Sequence, residues 1–177
     1  MTDRLEEGVA RMDAVEVFNS MPAVHLGENL KACCAAPTWG ATVVARRPYR
    51  DRAAILAEAD AASRALSWEG VLTSLAAHPR IGERAAGDSQ EAAWSRLEQS
   101  TAAQSDDQAE LRKVNEAYER KFGHVFLIFA SGRSQAEILA AARERLGHDE
   151  ETERAIVSDE LRKIALLRLE RVIDALA

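Results

Sequence analysis

Helix start signals recur along this chain, and they constrain its fold more than any other feature. Asp51, Ser67 and Ser134 each precede an apolar stripe of helical spacing, where a short polar side chain can cap the first turn. Glu137 follows Ser134 by three residues, which is the pattern of a capping box. Alternating strand patterns and Asn-Gly turns are missing. The sequence therefore predicts an all-α protein, a single-domain helical bundle of about eight helices.

The sequence does not decide the secondary structure of one apolar run. Val125–Ala130 fits a buried strand or a buried helix, because periodicity cannot separate the two over so short a length. The helix before it is predicted to end at Phe122. The next helix, opened by Ser134, should stop at Gly147, and Asp149 should cap a long final helix.

Length and charge narrow the class of protein. With 177 residues, of which 47% are hydrophobic and 29% charged, the chain can bury a core without disulfides or a structural metal. No repeat or linker divides it, so 1–177 is predicted to be one domain, with 1–12 as a flexible N-terminal extension. The formal net charge of −6 offers no basic surplus to displace counterions from phosphates, so no nucleic-acid partner is expected.

The cysteines and the N-terminus bear on the compartment. Cys33 and Cys34 are the only cysteines, and adjacent cysteines rarely close a disulfide. We interpret them as small buried side chains rather than reactive thiols, in a reducing compartment. The first residues lack the apolar core of a signal peptide, and no run approaches the length of a membrane span. A cytoplasmic protein without a membrane partner is therefore expected.

His78 is the first candidate for chemistry. It follows the helix opened by Ser67 and precedes Pro79, which disfavours helical backbone at the residue before it. The helix should therefore stop near the imidazole, and Gly82 shapes the loop that follows. An imidazole is the side chain best matched to proton transfer near neutral pH, although a lone histidine is more often a cap or a surface group.

A helix face beyond this loop supplies further polar groups. Ser95, Glu98 and Gln99 stand at i, i+3 and i+4, so they share one face of a helix. Glu98 is interpreted either as a solvated carboxylate or as an orienter that fixes the tautomer of His78. Ser95 and Gln99 could exchange hydrogen bonds with a small polar ligand.

Arg168 occupies the apolar stripe of the last helix, where a core residue is expected. A buried guanidinium needs an anionic partner, because burying an unpaired charge is expensive. Two interpretations stay open: a structural salt bridge with a glutamate, or a clamp for a substrate carboxylate. Arg145 is a weaker candidate, since an arginine in the last turn before Gly147 also suits the helix dipole.

No motif for a metal or a cofactor accompanies these residues. The four histidines show no i, i+3 or i, i+4 pairing, and the sequence contains no Cys-x-x-Cys. Phosphate loops, nucleophile elbows and dinucleotide fingerprints are missing too. The expected chemistry is therefore proton transfer without a cofactor or metal.

Five short motifs in this order resemble the OHCU decarboxylase family, the 2-oxo-4-hydroxy-4-carboxy-5-ureidoimidazoline decarboxylases of purine catabolism. The motifs are His78-Pro79-Arg80-Ile81-Gly82, Ser95-x-x-Glu98-Gln99, Asn115-x-x-Tyr118-x-x-Lys121-Phe122-Gly123-x-x-Phe126, Arg145-Leu146 and Lys163-Ile164-x-x-Leu167-Arg168-Leu169. Each motif is weak alone, but their order is specific. The resemblance extends from about Phe18 to the end of the chain.

The resemblance implies a cofactor-independent, all-helical enzyme, often a homodimer, that forms (S)-allantoin and CO2 from a small-molecule substrate. It implies that His78 is the catalytic acid/base and Glu98 its catalytic partner. The substrate-binding residues that it implies are Pro79, Ser95, Gln99, Phe122, Gly123, His124, Val125, Phe126 and Arg168.

The sequence departs from the family in one place. Animal members tend to have Phe-Pro where this chain has His124-Val125, so any role of the proline ring is lost and His124 becomes a possible second polar group in the pocket. Two alternatives to the decarboxylase stay open. One is a related lyase or tautomerase acting on another ureido or heterocyclic acid. The other is a non-catalytic helical interaction module.

Overall fold

The computed structural model describes residues 13–82, 87–99 and 108–177. The predicted extension at 1–12 lies outside these ranges. So do residues 84–86 of a polar connector that the sequence predicts at 84–88, and Ser105, which the sequence predicts to form a capping box with Gln108. The described residues form nine helices and no strand, which confirms the all-α prediction. The helices are α1 (Ala14–Ser20), α2 (Ala23–Cys33), α3 (Pro37–Ala45), α4 (Arg52–Arg64), α5 (Trp68–Leu75), α6 (Gln90–Glu98), α7 (Gln108–Phe122), α8 (Gln135–Leu146) and α9 (Glu150–Asp174).

The caps lie where the sequence places them. Asp51 accepts a hydrogen bond from the backbone of α4, and Ser67 does the same for α5. Ser134 and Glu137 form both hydrogen bonds of the predicted capping box. Local sequence therefore decides where these helices begin.

Helix α9 forms the centre of the molecule, and α1, α2, α4 and α5 pack against it. Its 25 residues bury Val157, Leu161, Ile164, Leu169 and others along one side. Helices α7 and α8 pack together and build a second apolar cluster. No helix of the described ranges is long and apolar enough to cross a membrane.

Trp39 anchors the core beneath α3, as a buried tryptophan should. Its indole nitrogen donates to the Ala59 carbonyl at 3.1 Å and to the Ser63 hydroxyl at 2.9 Å, both on α4. The ring thus fixes α3 on α4 through apolar contact and a satisfied N–H. Cys33 and Cys34 are buried free thiols in the same cluster.

The apolar segment, residues 125–130, is neither of the two structures left open. It has no regular secondary structure, although Phe126, Leu127, Ile128 and Ala130 are all buried. Buried backbone without a helix or sheet must find other hydrogen-bond partners, because an unpaired buried amide costs free energy. Those partners are side chains on α8 and α9.

Candidate active site

Helix α5 ends at Leu75 and delivers His78 to the following turn. The His78 amide still donates to the Leu75 carbonyl at 2.9 Å, and Pro79 then prevents any continuation of the helix. The imidazole is half-buried. The backbone around the imidazole is therefore set by local sequence.

The loop after His78 is held by hydrogen bonds from two other helices. The side-chain oxygen of Gln99 accepts from the Gly82 amide at 3.1 Å, and the side-chain nitrogen of Asn115 donates to the Ile81 carbonyl at 2.8 Å. Gly82 has φ +86°, and a Cβ there would come within 3.3 Å of Leu111. The loop is thus rigidly placed, and Gln99 helps to place it.

Arg168 is fully buried and binds the polar face of α6. Its Nε and Nη2 donate to the two oxygens of Glu98 at 3.1 and 3.2 Å, and Nη2 also donates to the Ser95 hydroxyl at 3.0 Å. Its Nη1 donates to the Ala32 carbonyl at 3.2 Å. Arg171 adds a second guanidinium to Glu98 at 2.9 Å. The structure therefore contains the salt bridge that was one of the two interpretations of Arg168.

Glu98 does not hold the imidazole directly, which corrects one interpretation. Its carboxylate is bound by two arginines, and no hydrogen bond or ion pair joins it to His78 in the part of the chain that the structure describes. Helical spacing identified the face that carries Glu98 but not the element that this face meets. That element is α9. Arg168 and Arg171 stand three residues apart on it, so both lie on the side that faces Glu98.

His78 nevertheless lies within electrostatic reach of the cluster. Burial lowers the pKa of His78 to about 3, and the positive charge of Arg168 contributes in the same direction. The imidazole is therefore neutral at neutral pH and, by itself, a weak base. An anionic ligand bound beside it would offset the charge of Arg168 and raise its proton affinity.

Glu91 belongs to the same cluster and was not identified from the sequence. Its Oε1 lies 3.7 Å from Nη1 of Arg168, and it stands four residues before Ser95 on the same face of α6. Burial raises the pKa of the half-buried Glu91, while Arg168 opposes the rise. The spacing Glu91, Ser95, Glu98 was the available signal.

The two thiols stay outside the chemistry. Burial raises the pKa of Cys33 to about 12, so its nucleophilic thiolate form is suppressed. Cys34 lies 3.3 Å from the Ser74 hydroxyl, and burial raises its pKa as well. Both geometry and pKa fit the interpretation of small core side chains.

His124 lies in an aromatic cluster. Its ring centroid is 5.4 Å from Trp68, 5.5 Å from Tyr118 and 6.2 Å from Phe122. Its Nδ1 lies 3.0 Å from the Val125 carbonyl. Its ring contacts and hydrogen bond in the described ranges involve neither His78 nor Arg168, so its place in a pocket stays a prediction.

The apolar segment is hydrogen-bonded along one edge. The Leu127 carbonyl accepts from Nη1 of Arg145 at 2.7 Å, and the Phe129 amide donates to Oε2 of Glu160 at 2.6 Å. The Phe129 carbonyl also accepts from Arg133 at 3.1 Å. Two buried charged side chains, Arg145 and Glu160, thus take the place of a neighbouring strand.

Phe126 and Ile128, which alternate with the bonded residues, have no such partners. Within 108–177 and the other described ranges, no hydrogen bond reaches the backbone N–H or C=O of Phe126 or Ile128. Bonded groups at Leu127 and Phe129 thus alternate with unpaired groups at Phe126 and Ile128, and the unpaired groups form a second edge of the segment. We call it the free edge. Phe126 was predicted to line a pocket, whereas Ile128 was not identified.

Arg145 also binds residues that surround this segment. It donates from Nε to Glu153 at 2.7 Å, and its guanidinium lies 4.5 Å from the centroid of the Phe126 ring. Tyr118 and His148 also bind Glu153, at 2.5 and 3.1 Å. This network is separate from the Arg168 cluster. In the described ranges, no group of three or more metal-ligating side chains could hold a metal ion.

Comparison with known proteins bears on this arrangement. A family model described as OHCU decarboxylase matches residues 19–170. The "Uric acid degradation bifunctional protein TTL" of Arabidopsis thaliana is 31% identical over 156 residues, which are 85% of this chain and 48% of that protein. A 2-oxo-4-hydroxy-4-carboxy-5-ureidoimidazoline decarboxylase of Haloferax volcanii is 35% identical over 104 residues, 58% of this chain and 61% of that protein. The matches thus span about half the length of these curated relatives.

A solved structure matches over a larger share of its length. A crystal structure of OHCU decarboxylase in the presence of (S)-allantoin aligns with a TM-score of 0.70 at 30% sequence identity. The alignment covers 84% of this chain and 98% of that chain. The helical arrangement described above is therefore that of a known fold.

Proposed function

Because this chain belongs to the OHCU decarboxylase family, we propose that it converts 2-oxo-4-hydroxy-4-carboxy-5-ureidoimidazoline into (S)-allantoin and CO2 in urate breakdown. The observation that carries the proposal is the buried guanidinium of Arg168, bound by Glu98 and Ser95, whose positive charge acts on the neutral imidazole of His78. A neutral imidazole close to a buried positive charge suits an anionic substrate whose reaction consists of proton movements.

The substrate itself supplies the electron sink. Its reacting carbon carries a hydroxyl and a carboxylate and adjoins a ring C=N bond. When the bond to the carboxylate breaks, CO2 leaves and the electron pair forms a C=C bond, while the C=N pair moves to nitrogen, which takes a proton. The resulting enol loses its hydroxyl proton to become a carbonyl as the neighbouring carbon gains a proton.

His78 is the group that we assign to this proton transfer. As a neutral base it accepts the hydroxyl proton, and as the imidazolium it can return a proton to one face of the ring carbon. The clamped loop from His78 to Gly82 keeps the imidazole on that face. Control of the face makes the product one enantiomer.

Arg168 and Glu98 are assigned to positioning the substrate carboxylate. Four N–H groups of Arg168 are in hydrogen bonds, and the remaining one, on Nη1, has Glu91 as its nearest anion at 3.7 Å. A substrate carboxylate would compete with Glu91 for this N–H. Glu98 remains a predicted catalytic residue. In this proposal it acts by holding Arg168 in place.

The free edge supports binding of the ureido groups. A ureide presents alternating N–H donors and C=O acceptors, which match the unpaired backbone groups of Phe126 and Ile128. The side-chain nitrogen of Gln99 has no partner in the described ranges, so it too can donate to a substrate carbonyl. Pro79, Phe122, Gly123 and Val125 stay predicted pocket residues.

The test is circular dichroism of the product, with substrate generated freshly from urate. Spontaneous decay gives racemic allantoin, so a growing signal of (S)-allantoin with added protein is the expected result. A flat signal from folded protein would contradict the proposal. It would favour a related lyase or tautomerase, or an interaction module.

We further propose a cytoplasmic homodimer, following the family resemblance. Light scattering coupled to size exclusion should give twice the mass of one chain, 19.4 kDa. A mass of one chain at micromolar concentration would contradict the dimer.

A further inference from the structure

Two buried charged side chains hold the backbone of the apolar segment from one side. Glu160 is 6% exposed and receives the Phe129 amide at 2.6 Å, with Lys163 donating to its other oxygen at 2.7 Å. Arg145 is 5% exposed and donates to the Leu127 carbonyl at 2.7 Å. Hydrogen bonds to a charged partner are shorter and stronger than neutral ones.

These two contacts fix more than the position of the segment. They act on Leu127 and Phe129, which alternate with Phe126 and Ile128, so both bind the edge opposite the free edge. Holding two points of one edge sets the rotation of the backbone about its own axis. The direction of the opposite edge, formed by Phe126 and Ile128, follows from that rotation.

We propose that Glu160 and Arg145 are positioning residues that aim the free edge at the ureide groups of the substrate. The inference rests on the proposed function, because it gives the free edge its ligand. Neither side chain touches substrate. Each acts through the backbone group that it binds, and no neighbouring strand in the described ranges could do so instead.

The expected effect is on substrate binding rather than on the chemical step. His78 and the Arg168 cluster bond to other elements, so proton transfer in the bound complex should stay near its normal rate. A misdirected free edge weakens the hydrogen bonds to the ureide. Loss of Glu160 should therefore raise KM and leave kcat nearly unchanged.

Glu160→Ala, Glu160→Gln and Lys163→Gln separate this role from a merely structural one. Glu160→Ala removes the acceptor for the Phe129 amide and should raise KM about tenfold, the equivalent of one lost hydrogen bond, with kcat within about twofold. Glu160→Gln keeps an acceptor oxygen and should raise KM less than about threefold. Lys163→Gln removes the ion pairs of Lys163 with Glu160 and Asp159 but keeps the acceptor for the Phe129 amide, so it should leave both constants unchanged.

Amide exchange gives a second readout that does not depend on turnover. Saturating (S)-allantoin should slow exchange in a peptide that covers the apolar segment of the wild type, and should slow it far less in Glu160→Ala. If Glu160→Ala does not fold, Arg145→Lys replaces it, since lysine lacks the fork that binds Leu127 and Glu153 together.

The outcomes distinguish the two proposals. Wild-type protein without turnover overturns the proposed function. Active wild type with an unchanged KM in Glu160→Ala overturns the positioning role. A fall of kcat at constant KM, or an equal rise of KM in Glu160→Gln, also overturns it.

Discussion

Two buried arginine–glutamate pairs connect α9 to its neighbours, and they differ in whether the titratable groups around them are hydrogen-bonded to the pair. In one, Arg145 reaches Glu153; in the other, Arg168 reaches Glu98. Both arginines are almost completely buried. The two pairs consist of the same residue types and are similarly buried. Neither residue type nor burial therefore distinguishes a structural salt bridge from a functional site.

The pair around Glu153 is closed. Its carboxylate receives Arg145, Tyr118 and His148. Burial alone would raise the pKa of Glu153, but the hydrogen bonds from Arg145 and Tyr118 outweigh it and lower that pKa. The titratable neighbours Tyr118 and His148 are thus both hydrogen-bonded to this carboxylate, which is typical of a structural network.

The cluster around Arg168 is open by comparison. Glu91 approaches Arg168 only to 3.7 Å, and its pKa is raised by burial. The pKa of His78 is lowered to about 3, so both titratable neighbours are pushed toward their neutral forms. Groups perturbed in this way are typical of functional sites. Perturbed titratable neighbours that no hydrogen bond joins to the pair, rather than burial, distinguish this cluster in the described ranges.

The largest expected effect is that of His78→Ala. Loss of the proton-transfer group should lower the rate of stereoselective turnover about 10²- to 10⁴-fold, while the far-ultraviolet spectrum and Tm stay close to those of the wild type. His25 is exposed, so His25→Ala is the matched control and should keep full activity. Equal rates in the two variants would remove His78 from the mechanism.

Glu153→Ala should act on stability instead. It leaves the buried guanidinium of Arg145 without its carboxylate, which should cost about 3–5 kcal/mol in the free energy of unfolding. Urea denaturation monitored by circular dichroism measures this loss. A cost below about 1 kcal/mol, the range of exposed pairs, would contradict the structural role of the closed pair.

Glu98→Gln tests the open cluster with a smaller change. Glutamine keeps an oxygen for Arg168 but loses the charge, so turnover should fall roughly tenfold, equivalent to about 1.4 kcal/mol of barrier. Glu170→Gln, a half-buried neighbour on α9, is the matched control and should keep the wild-type rate. Wild-type turnover in Glu98→Gln would mean that both arginine pairs are structural.

The pH dependence of stability tests the neutral state of His78. Its pKa falls from 6.5 in the unfolded chain to about 3 in the fold, so between these values the unfolded state binds the proton more strongly. Stability should therefore fall as pH drops from 6.5 toward 3, by up to about 1.4 kcal/mol per pH unit from this group. His78→Gln should flatten the slope between pH 6.5 and 5, whereas His25→Gln should not.

Glu91→Gln should have the smallest effect. If the substrate carboxylate takes the Nη1 donor that faces Glu91, removing the competing charge should lower KM about two- to threefold at constant kcat, a change below 1 kcal/mol. Initial rates over a range of substrate concentrations decide it. A raised KM would mean that Glu91 assists binding instead.

Much of the fold was predictable because its signals are local. Caps such as Asp51, Ser67 and Ser134 act within one turn, so neighbouring residues suffice to place helix starts. The apolar segment was not predictable, since its backbone is held by Arg145 and Glu160 from distant parts of the chain. The spacing of apolar residues along the sequence gives no information about such distant partners.

The sequence by itself determined the all-helical class, the end of α5 near His78, and the polar face that carries Ser95 and Glu98. It also determined that Arg168 needed an anion, since a guanidinium in an apolar stripe cannot stay unpaired. Only the tertiary structure decided that Glu98 meets arginines rather than His78, because the partner of a helix face depends on how helices pack. Packing likewise produced the free edge at Phe126 and Ile128, where burial removes water from backbone groups that no neighbouring element binds.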